Sequence, residues 1–148
     1  MFPNSKASEM LAILATIDPA SQAAGAVSTG WVSVTNHIGF LALVQTGVLG
    51  TSATVDAKLQ QALDNAGTGA KDISSKAITQ IVKATGDNKQ ALINVKPEEL
   101  DTVNGFGFVR VTVTVGVAAS ITGAQLLGMN PRYATADAFN QAAVVQII

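Results

Sequence analysis

Residues 109–117 constrain the fold of this chain more than any other stretch. They read Val-Arg-Val-Thr-Val-Thr-Val-Gly-Val, so valine occupies every second position. Because a β-strand turns successive side chains to opposite faces, this spacing predicts a strand with one apolar and one mostly polar face. Valine is also stiff at χ1 and packs well on a pleated surface. The chain therefore needs a packed sheet whose buried side accepts a stripe of five valines.

Composition narrows the classes of function. A length of 148 residues indicates one domain. The absence of cysteine excludes disulfides, thiolate zinc sites and cysteine nucleophiles. Charged residues make up 13% of the chain and the net charge is −1, with scattered basic residues, so we predict no nucleic-acid binding. A neutral surface of this kind suits contact with other subunits.

Residues 111–131 carry no charge, which raises the question of a membrane segment. Their period of two, their hydroxyl and amide side chains and the bordering Arg110 argue against a spanning helix. We predict no membrane partner.

The N-terminal region predicts a short helix followed by a connector. Ser5 is a candidate cap, the apolar residues of the helix are Met10, Leu11, Ile13 and Leu14, and Asp18–Pro19 would end it. Residues 19–30 are rich in Ala, Ser and Gly and predict a connector.

The middle of the chain predicts several strands. Residues 38–44 form a continuous apolar run, which favours a central strand covered on both faces. Residues 53–63 fit both a strand and one helical face, and we choose the strand. Residues 77–82 and 89–95 predict a hairpin around a turn at 85–88. Residues 96–100 predict a turn or a single helical turn, and 118–127 a partner for the valine strand.

These elements together predict an all-β fold of seven or eight short strands, an antiparallel β-sandwich or jelly roll. We expect a short N-terminal helix and an extended apolar C-terminal tail. The expected divisions are an N-terminal arm at 1–25, the sandwich at 26–133 and the tail at 134–148.

The sequence offers no catalytic set. His37 is the sole histidine and the only plausible general base, and no Gly-x-Ser-x-Gly motif accompanies it. We interpret it as a turn or edge histidine and expect no enzymatic activity.

Three further motifs fail as ligand sites. Residues 67–71 (Gly-Thr-Gly-Ala-Lys) depart from the phosphate-loop pattern, and residues 105–108 lack the third glycine of a dinucleotide fingerprint. The acidic residues Glu98, Glu99 and Asp101 lack the ligand spacing of a calcium loop, so a solvated turn is favoured. We therefore predict no cofactor and no metal.

The aromatic residues Trp31, Phe106, Phe108 and Tyr133 could stack on a sugar or a base. Roles in the core or in subunit contacts are favoured for all four. Phe108 shares the polar face of the valine strand with Arg110, Thr112 and Thr114, which makes that face a candidate contact surface.

Several phrases between residues 28 and 133 resemble a family of small virion structural proteins of tailed phages and prophages. They lie at residues 30–32 (Gly-Trp-Val), 44–50 (Val-Gln-Thr-Gly-Val-Leu-Gly), 53–61, 67–73, 76–80, 108–111 and 127–133 (Leu-Gly-Met-Asn-Pro-Arg-Tyr). The resemblance implies a β-sandwich associated with the capsid in the virion, as a decoration (cement), minor capsid or connector protein. It implies the major capsid protein and further copies of this chain as partners.

Our leading hypothesis is a non-enzymatic capsid decoration or minor capsid subunit that forms a homo-oligomer. The expected contact residues are Phe2, Leu11, Leu14, Phe108, Arg110, Phe139, Val145 and Ile147. A tail-tube or head–tail connector protein and a glycan-binding sandwich module remain as alternatives.

Overall fold

The computed structural model describes residues 4–148, and most of its regular elements are strands. In chain order these are α1 (Ala7–Met10), β1 (Leu11–Gln22), β2 (Gly25–Ser28), β3 (Val32–Ser33), β4 (His37–Thr46), β5 (Thr54–Ala62), β6 (Lys71–Ala77), β7 (Ile81–Val82), α2 (Lys83–Gly86), β8 (Gln90–Val95), β9 (Phe108–Gly116) and β10 (Ser120–Pro131). Short 3-10 helices lie at Pro97–Glu99, Thr102–Asn104 and Ala136–Phe139. Within residues 4–148, no helix is long and apolar enough to cross a membrane.

Two antiparallel sheets form a β-sandwich, which confirms the predicted fold class. The first, here called sheet A, has the strand order β1-β10-β4-β8. The second, sheet B, has the order β2-β9-β5-β6, with β3 also pairing with β9 and β7 with β5. The apolar core lies between the sheets and includes Phe40, Ala42 and Val44 from β4 together with Val111 and Val113 from β9.

The valine stripe is buried over four of its five positions. Val109, Val111, Val113 and Val115 are at most 2% exposed. Val117 lies beyond the end of β9, has a φ of 69° and is 73% exposed. The predicted strand is confirmed. The predicted burial of Val117 is wrong, because the chain turns there towards β10.

The N-terminal prediction needs a correction. The helix ends at Met10, and Leu11, Ile13 and Leu14 lie in the twelve-residue strand β1. Pairing with β10 overrides the local helical pattern, since strand formation depends on cross-strand contacts. Asp18 and Pro19 interrupt the register of β1 as a bulge and do not end a helix. Residues 11–22, predicted in the arm, therefore belong to sheet A.

Residues 19–30, predicted as a connector, also carry strand structure. The end of β1 and all of β2 lie there, and β2 pairs with β9.

Two predicted hairpins are wrong, because the chain crosses between the sheets at both places. β8 pairs with β4 in sheet A, whereas β7 pairs with β5 in sheet B. The connection is held by Thr46, whose hydroxyl donates to the carbonyl of Gly86 at 2.6 Å and accepts from the amide of Lys89 at 3.0 Å. Similarly, β10 follows β9 in sequence but pairs with β1 and β4.

Other predictions of local structure are confirmed, but the burial predicted for β4 is wrong. β5 confirms the choice of a strand for residues 53–63, and the helical turn at Pro97–Glu99 confirms the prediction for 96–100. β4 is an interior strand of sheet A, as predicted. It is covered on one face only, since Leu41 and Leu43 are half-buried and Ile38 is 51% exposed.

The first part of the C-terminal tail is packed into the fold. Ala136 is fully buried, and the ring of Phe139 lies 5.2 Å from the ring of His37. Asn140 Oδ1 accepts a hydrogen bond from the amide of Ile13 at 2.8 Å, and the amide of Gln141 donates to the carbonyl of Ile13 at 2.8 Å. The tail thus covers the outer edge of β1 near its start.

Truncating a buried valine of the stripe should cost far more than truncating the exposed one. We expect Val113→Ala to lower the free energy of unfolding by about 2 kcal/mol, because two core methyl groups are lost and a cavity remains. Val117→Ala removes the same atoms from an exposed side chain and should change it by less than about 0.5 kcal/mol. Urea titration of both variants measures the difference, and equal losses would contradict the burial assigned to the stripe.

Candidate interaction surfaces

The outer face of sheet B is polar and joined by hydrogen bonds within the chain. Gln60 Oε1 on β5 accepts from Arg110 Nε at 3.0 Å, Arg110 Nη2 at 2.8 Å and Thr112 Oγ1 at 2.9 Å. Gln60 Nε2 donates to Asp72 at 2.8 Å, and Lys58 forms an ion pair with the same carboxylate at 2.8 Å. These contacts lower the pKa of Asp72, with the hydrogen bond from Lys58 as the largest cause.

Arg110 is further held by Trp31. The guanidinium carbon lies 4.4 Å from the centroid of the indole ring, a cation–π contact. Thr112 is 6% exposed and its hydroxyl lies 2.8 Å from that of Ser28. The predicted contact residues Phe108 and Arg110 do lie on β9, half-buried, but Arg110 is already satisfied within the chain.

The outer face of sheet A combines aliphatic and amide side chains and differs from that of sheet B in its lack of charge on three strands. Phe40, Ala42 and Val44 point into the core, so the alternating residues Leu41 and Leu43 point outward. The strands β4, β8 and β10 contain no Asp, Glu, Lys or Arg at all. The outward aliphatic residues of these strands, here called the sheet A patch, are Leu41, Leu43, Leu92, Ile121 and Leu127, of which Leu127 is only 7% exposed.

The strand register brings four of these side chains next to one another, while Ile121 lies near Gly47 at the other end of β10. Leu43 lies opposite Leu92 on β8, and Leu41 lies opposite Leu127 on β10. Leu92 is 59% and Ile121 is 45% exposed. Large aliphatic side chains exposed on strands without charge are typical of a surface that contacts another protein.

A second apolar surface lies at the C-terminal end. Val145 is 93%, Ile147 is 50% and Ile148 is fully exposed, and these three residues are here called the terminal patch. Ile147 and Val144 line a groove with Leu11 and Ile13 of β1. The predicted contact residues Leu11, Val145 and Ile147 therefore lie near one end of the molecule.

The remaining predicted contact residues have other surroundings. Leu14 packs against the core, and Phe139 packs against His37. Phe2 lies outside the described residues.

His37 is buried rather than placed at a turn or open edge. It is 1% exposed, it is the first residue of β4, and neither ring nitrogen has a hydrogen-bond partner in residues 4–148. The rings of Phe40 and Phe139 lie 5.8 Å and 5.2 Å from it. This burial lowers the pKa of His37 below its ordinary value of 6.5, so the neutral form is favoured. A side chain closed off from solvent in this way is poorly placed to act as a general base.

The acidic residues near Pro97–Glu99 are engaged by lysines. Glu99 pairs with Lys76 at 2.7 Å and Asp101 with Lys71 at 2.5 Å, and in each case the hydrogen bond from the lysine is the largest cause of a lowered pKa. In the part of the chain that the structure describes, no three His, Asp or Glu residues are grouped to hold a metal ion.

The loop at residues 63–70 is closed by hydrogen bonds to Asp64. Asp64 Oδ1 accepts from the amides of Ala66 at 2.9 Å and Thr68 at 3.0 Å. Its side chain therefore occupies the loop amides that a phosphate would need. Of the other aromatic residues, Phe106 lies beneath Lys71, 4.2 Å from the ring centroid, and Tyr133 is 78% exposed.

Sequence comparison gives no family for this chain, since no protein-family model matches it. No curated protein matches it either. Solved structures are similar in fold. A chain of Triatoma virus superimposes with a TM-score of 0.50 at 7% identity, covering 92% of this chain and 72% of that one.

Two further similar structures have TM-scores below that value. One is described as "CBM4 structure and function", with a TM-score of 0.41, 13% identity and 71% of this chain covered; this chain spans 61% of its length. The other is the SPBc2 prophage-derived protein YomS, with a TM-score of 0.43, 9% identity, and coverage of 78% of this chain and 92% of that one. At such low identities the likeness shows a shared β-sandwich and nothing of function.

The buried histidine should make stability depend on pH in a defined window. Because its pKa is lowered on folding, the folded state binds fewer protons, so stability is full above about pH 6.5 and falls as the pH decreases below that value. The slope approaches at most about 1.4 kcal/mol per pH unit. Urea titrations from pH 7.5 to 5 should show this slope in the wild type and not in His37→Met.

The pH range of this effect distinguishes the contribution of His37 to stability from the contributions of the carboxylates. Asp72 and Glu99 have pKa values lowered from 3.8 and 4.5, so their contributions are lost only at more acidic pH. If the free energy of unfolding depended on pH equally in the wild type and in His37→Met above pH 5, the burial assigned to the imidazole would be contradicted.

Proposed function

We propose that this chain is a structural protein of a phage virion that binds the capsid shell as a decoration or minor capsid subunit. The observation that carries the proposal is the sheet A patch, in which Leu92 and Ile121 are exposed and Leu41 and Leu43 half-buried, on strands that carry no charged residue. The phrase-level resemblance at residues 28–133 supplies the class of partner. The β-sandwich fold, also found in a Triatoma virus chain, is compatible with a place in a virion.

The physical argument starts from the cost of exposure. Apolar area left in water forgoes about 25 cal/mol per Å² that burial would supply. Covering Leu92 and Ile121 with a partner recovers part of that free energy. Interface cores are depleted of charge, so the lack of ionised residues on β4, β8 and β10 lowers the desolvation cost of docking.

The terminal patch offers a second contact. Val145 and Ile148 are exposed and Ile147 is half-exposed beside Leu11 and Ile13, so a partner can bind them without displacing Asn140 from β1. Two weak contacts on one rigid body, repeated over many copies, sum through multivalency.

A non-enzymatic role is part of the proposal. It is supported by the burial of His37 and by the ion pairs that hold Glu99 and Asp101. A glycan-binding role has less support, since Arg110 already lies over the ring of Trp31 and Phe108 is half-buried.

Binding to capsids that lack this protein tests the proposal. The purified chain should cosediment with such particles, and Ile121→Glu should weaken binding about tenfold or more, because the contact would bury an unpaired carboxylate. Val103→Glu is the matched control: Val103 is 94% exposed and lies in the short helix Thr102–Asn104, and its binding should equal that of the wild type.

The terminal patch has its own variant. Val145→Ser combined with Ile147→Ser removes exposed apolar atoms but keeps the contacts of Asn140 and Gln141 with β1. We expect a several-fold loss of cosedimentation. Full binding by both the Ile121 and the tail variants would refute the capsid contact, and recovery of the chain in the tail fraction of disrupted particles would favour a connector or tail-tube protein.

A further inference from the structure

The outer edge of β8 exposes backbone groups that sheet A leaves unpaired. The amide of Thr46 donates to the carbonyl of Lys89 at 2.8 Å, which identifies these two residues as a hydrogen-bonded pair of the β4–β8 ladder. Hydrogen-bonded and non-hydrogen-bonded pairs alternate in antiparallel strands. Following the register, Ala91, Ile93 and Val95 bond to β4, and Gln90, Leu92 and Asn94 direct their N–H and C=O groups away from it.

No backbone group within residues 4–148 pairs with that edge. β8 pairs only with β4, and Gln90, Leu92 and Asn94 take part in no other backbone hydrogen bond there. Their side chains are all exposed. β8 has no proline, no charge and no register shift, so it lacks the features that usually prevent pairing with another strand.

The other three sheet edges are protected. Asn140 and Gln141 cover β1 at Ile13. β6 carries Lys71, Asp72 and Lys76 and has a register shift opposite β5. β2 is only four residues long. Among residues 4–148, β8 is thus the sheet edge without such protection.

We propose that β8 pairs antiparallel with β8 of a second copy of this chain, around a two-fold axis through Leu92. In this register Leu92 lies opposite the partner's Leu92, Gln90 opposite the partner's Asn94, and Ala91 opposite the partner's Ile93. The outward N–H and C=O groups of Gln90, Leu92 and Asn94 then form about six hydrogen bonds across the axis.

The sequence of β8 is self-complementary in this register. The residues one position from Leu92, Ala91 and Ile93, are both aliphatic, and those two positions away, Gln90 and Asn94, both carry amides. The flanking Lys89 and Lys96 lie opposite the partner's Val95 and the partner's Asn88, so no like charges face each other. A two-fold interface requires such self-complementarity, and this favours a second copy over an unrelated peptide.

The pairing also extends the sheet A patch. Leu43 lies opposite Leu92 within one subunit, so Leu43, Leu92 and the same two residues of the partner form one continuous row. The inference goes beyond the proposed function, because the pairing needs only two copies of the chain and no capsid.

Solution mass tests the pairing directly. Sedimentation equilibrium of the full chain should give twice the 15.1 kDa chain mass, and Leu92→Lys should give a single-chain mass, because two ammonium groups would meet at the axis. Val103→Lys, an exposed site off the sheets, should keep the wild-type mass. A monomeric wild type, or a Leu92→Lys variant of unchanged mass, would overturn the proposal.

Crosslinking tests the register and does not depend on the lysine variant folding. The chain has no cysteine, so Leu92→Cys and Asn94→Cys each add a single thiol at an exposed position. The Cα atoms at position 92 would lie about 5.5 Å apart across the axis, and those at position 94 about 14 Å apart. A bismaleimide of about 8 Å reach should link Leu92→Cys into dimers and not Asn94→Cys; the reverse result, or equal linking of both, would refute this register.

Discussion

The structure depends on the burial of one face of each sheet against the other. Val109, Val111 and Val113 on β9 belong to the same core cluster as Phe40 and Val44 on β4. Because side chains alternate along a strand, fixing the inward face of each strand also fixes which residues face out. The composition of the two outer faces follows from this one packing constraint.

The two outer faces differ in how their exposed groups are satisfied. Sheet B satisfies its polar groups within the chain, through Gln60 and its bonds to Arg110 and Asp72. On sheet A, an exposed aliphatic side chain such as Leu92 forms no hydrogen bonds and gains free energy only when it is buried. A partner therefore gains more free energy by covering sheet A than by competing for hydrogen bonds already made on sheet B.

The sequence predicted β5 and β9 correctly, missed β1 and β2, and paired two sets of strands wrongly. β5 and β9 were recognisable because their alternation is local. The crossovers after β7 and β9 were not, since a short connection looks the same whether it closes a hairpin or changes sheets. What decides the first crossover is Thr46, whose bonds to Gly86 and Lys89 join residues about forty positions apart.

The surroundings of individual side chains could not be predicted either, because they also depend on contacts between distant parts of the chain. Gln60 gains its role only when the pairing of β5 with β9 sets it opposite Arg110. The burial of His37 depends on Phe139, which arrives from the far end of the chain.

The open edge of β8 and the sheet A patch belong to the same physical problem. An uncharged strand with unpaired amides at the border of an uncharged face is prone to uncontrolled pairing, and charges or proline at that edge would prevent it. Such charges would also raise the cost of covering Leu43 and Leu92. The proposed two-fold pairing would resolve this conflict, because it would satisfy the edge of β8 without adding charge and would place the two sheet A patches side by side.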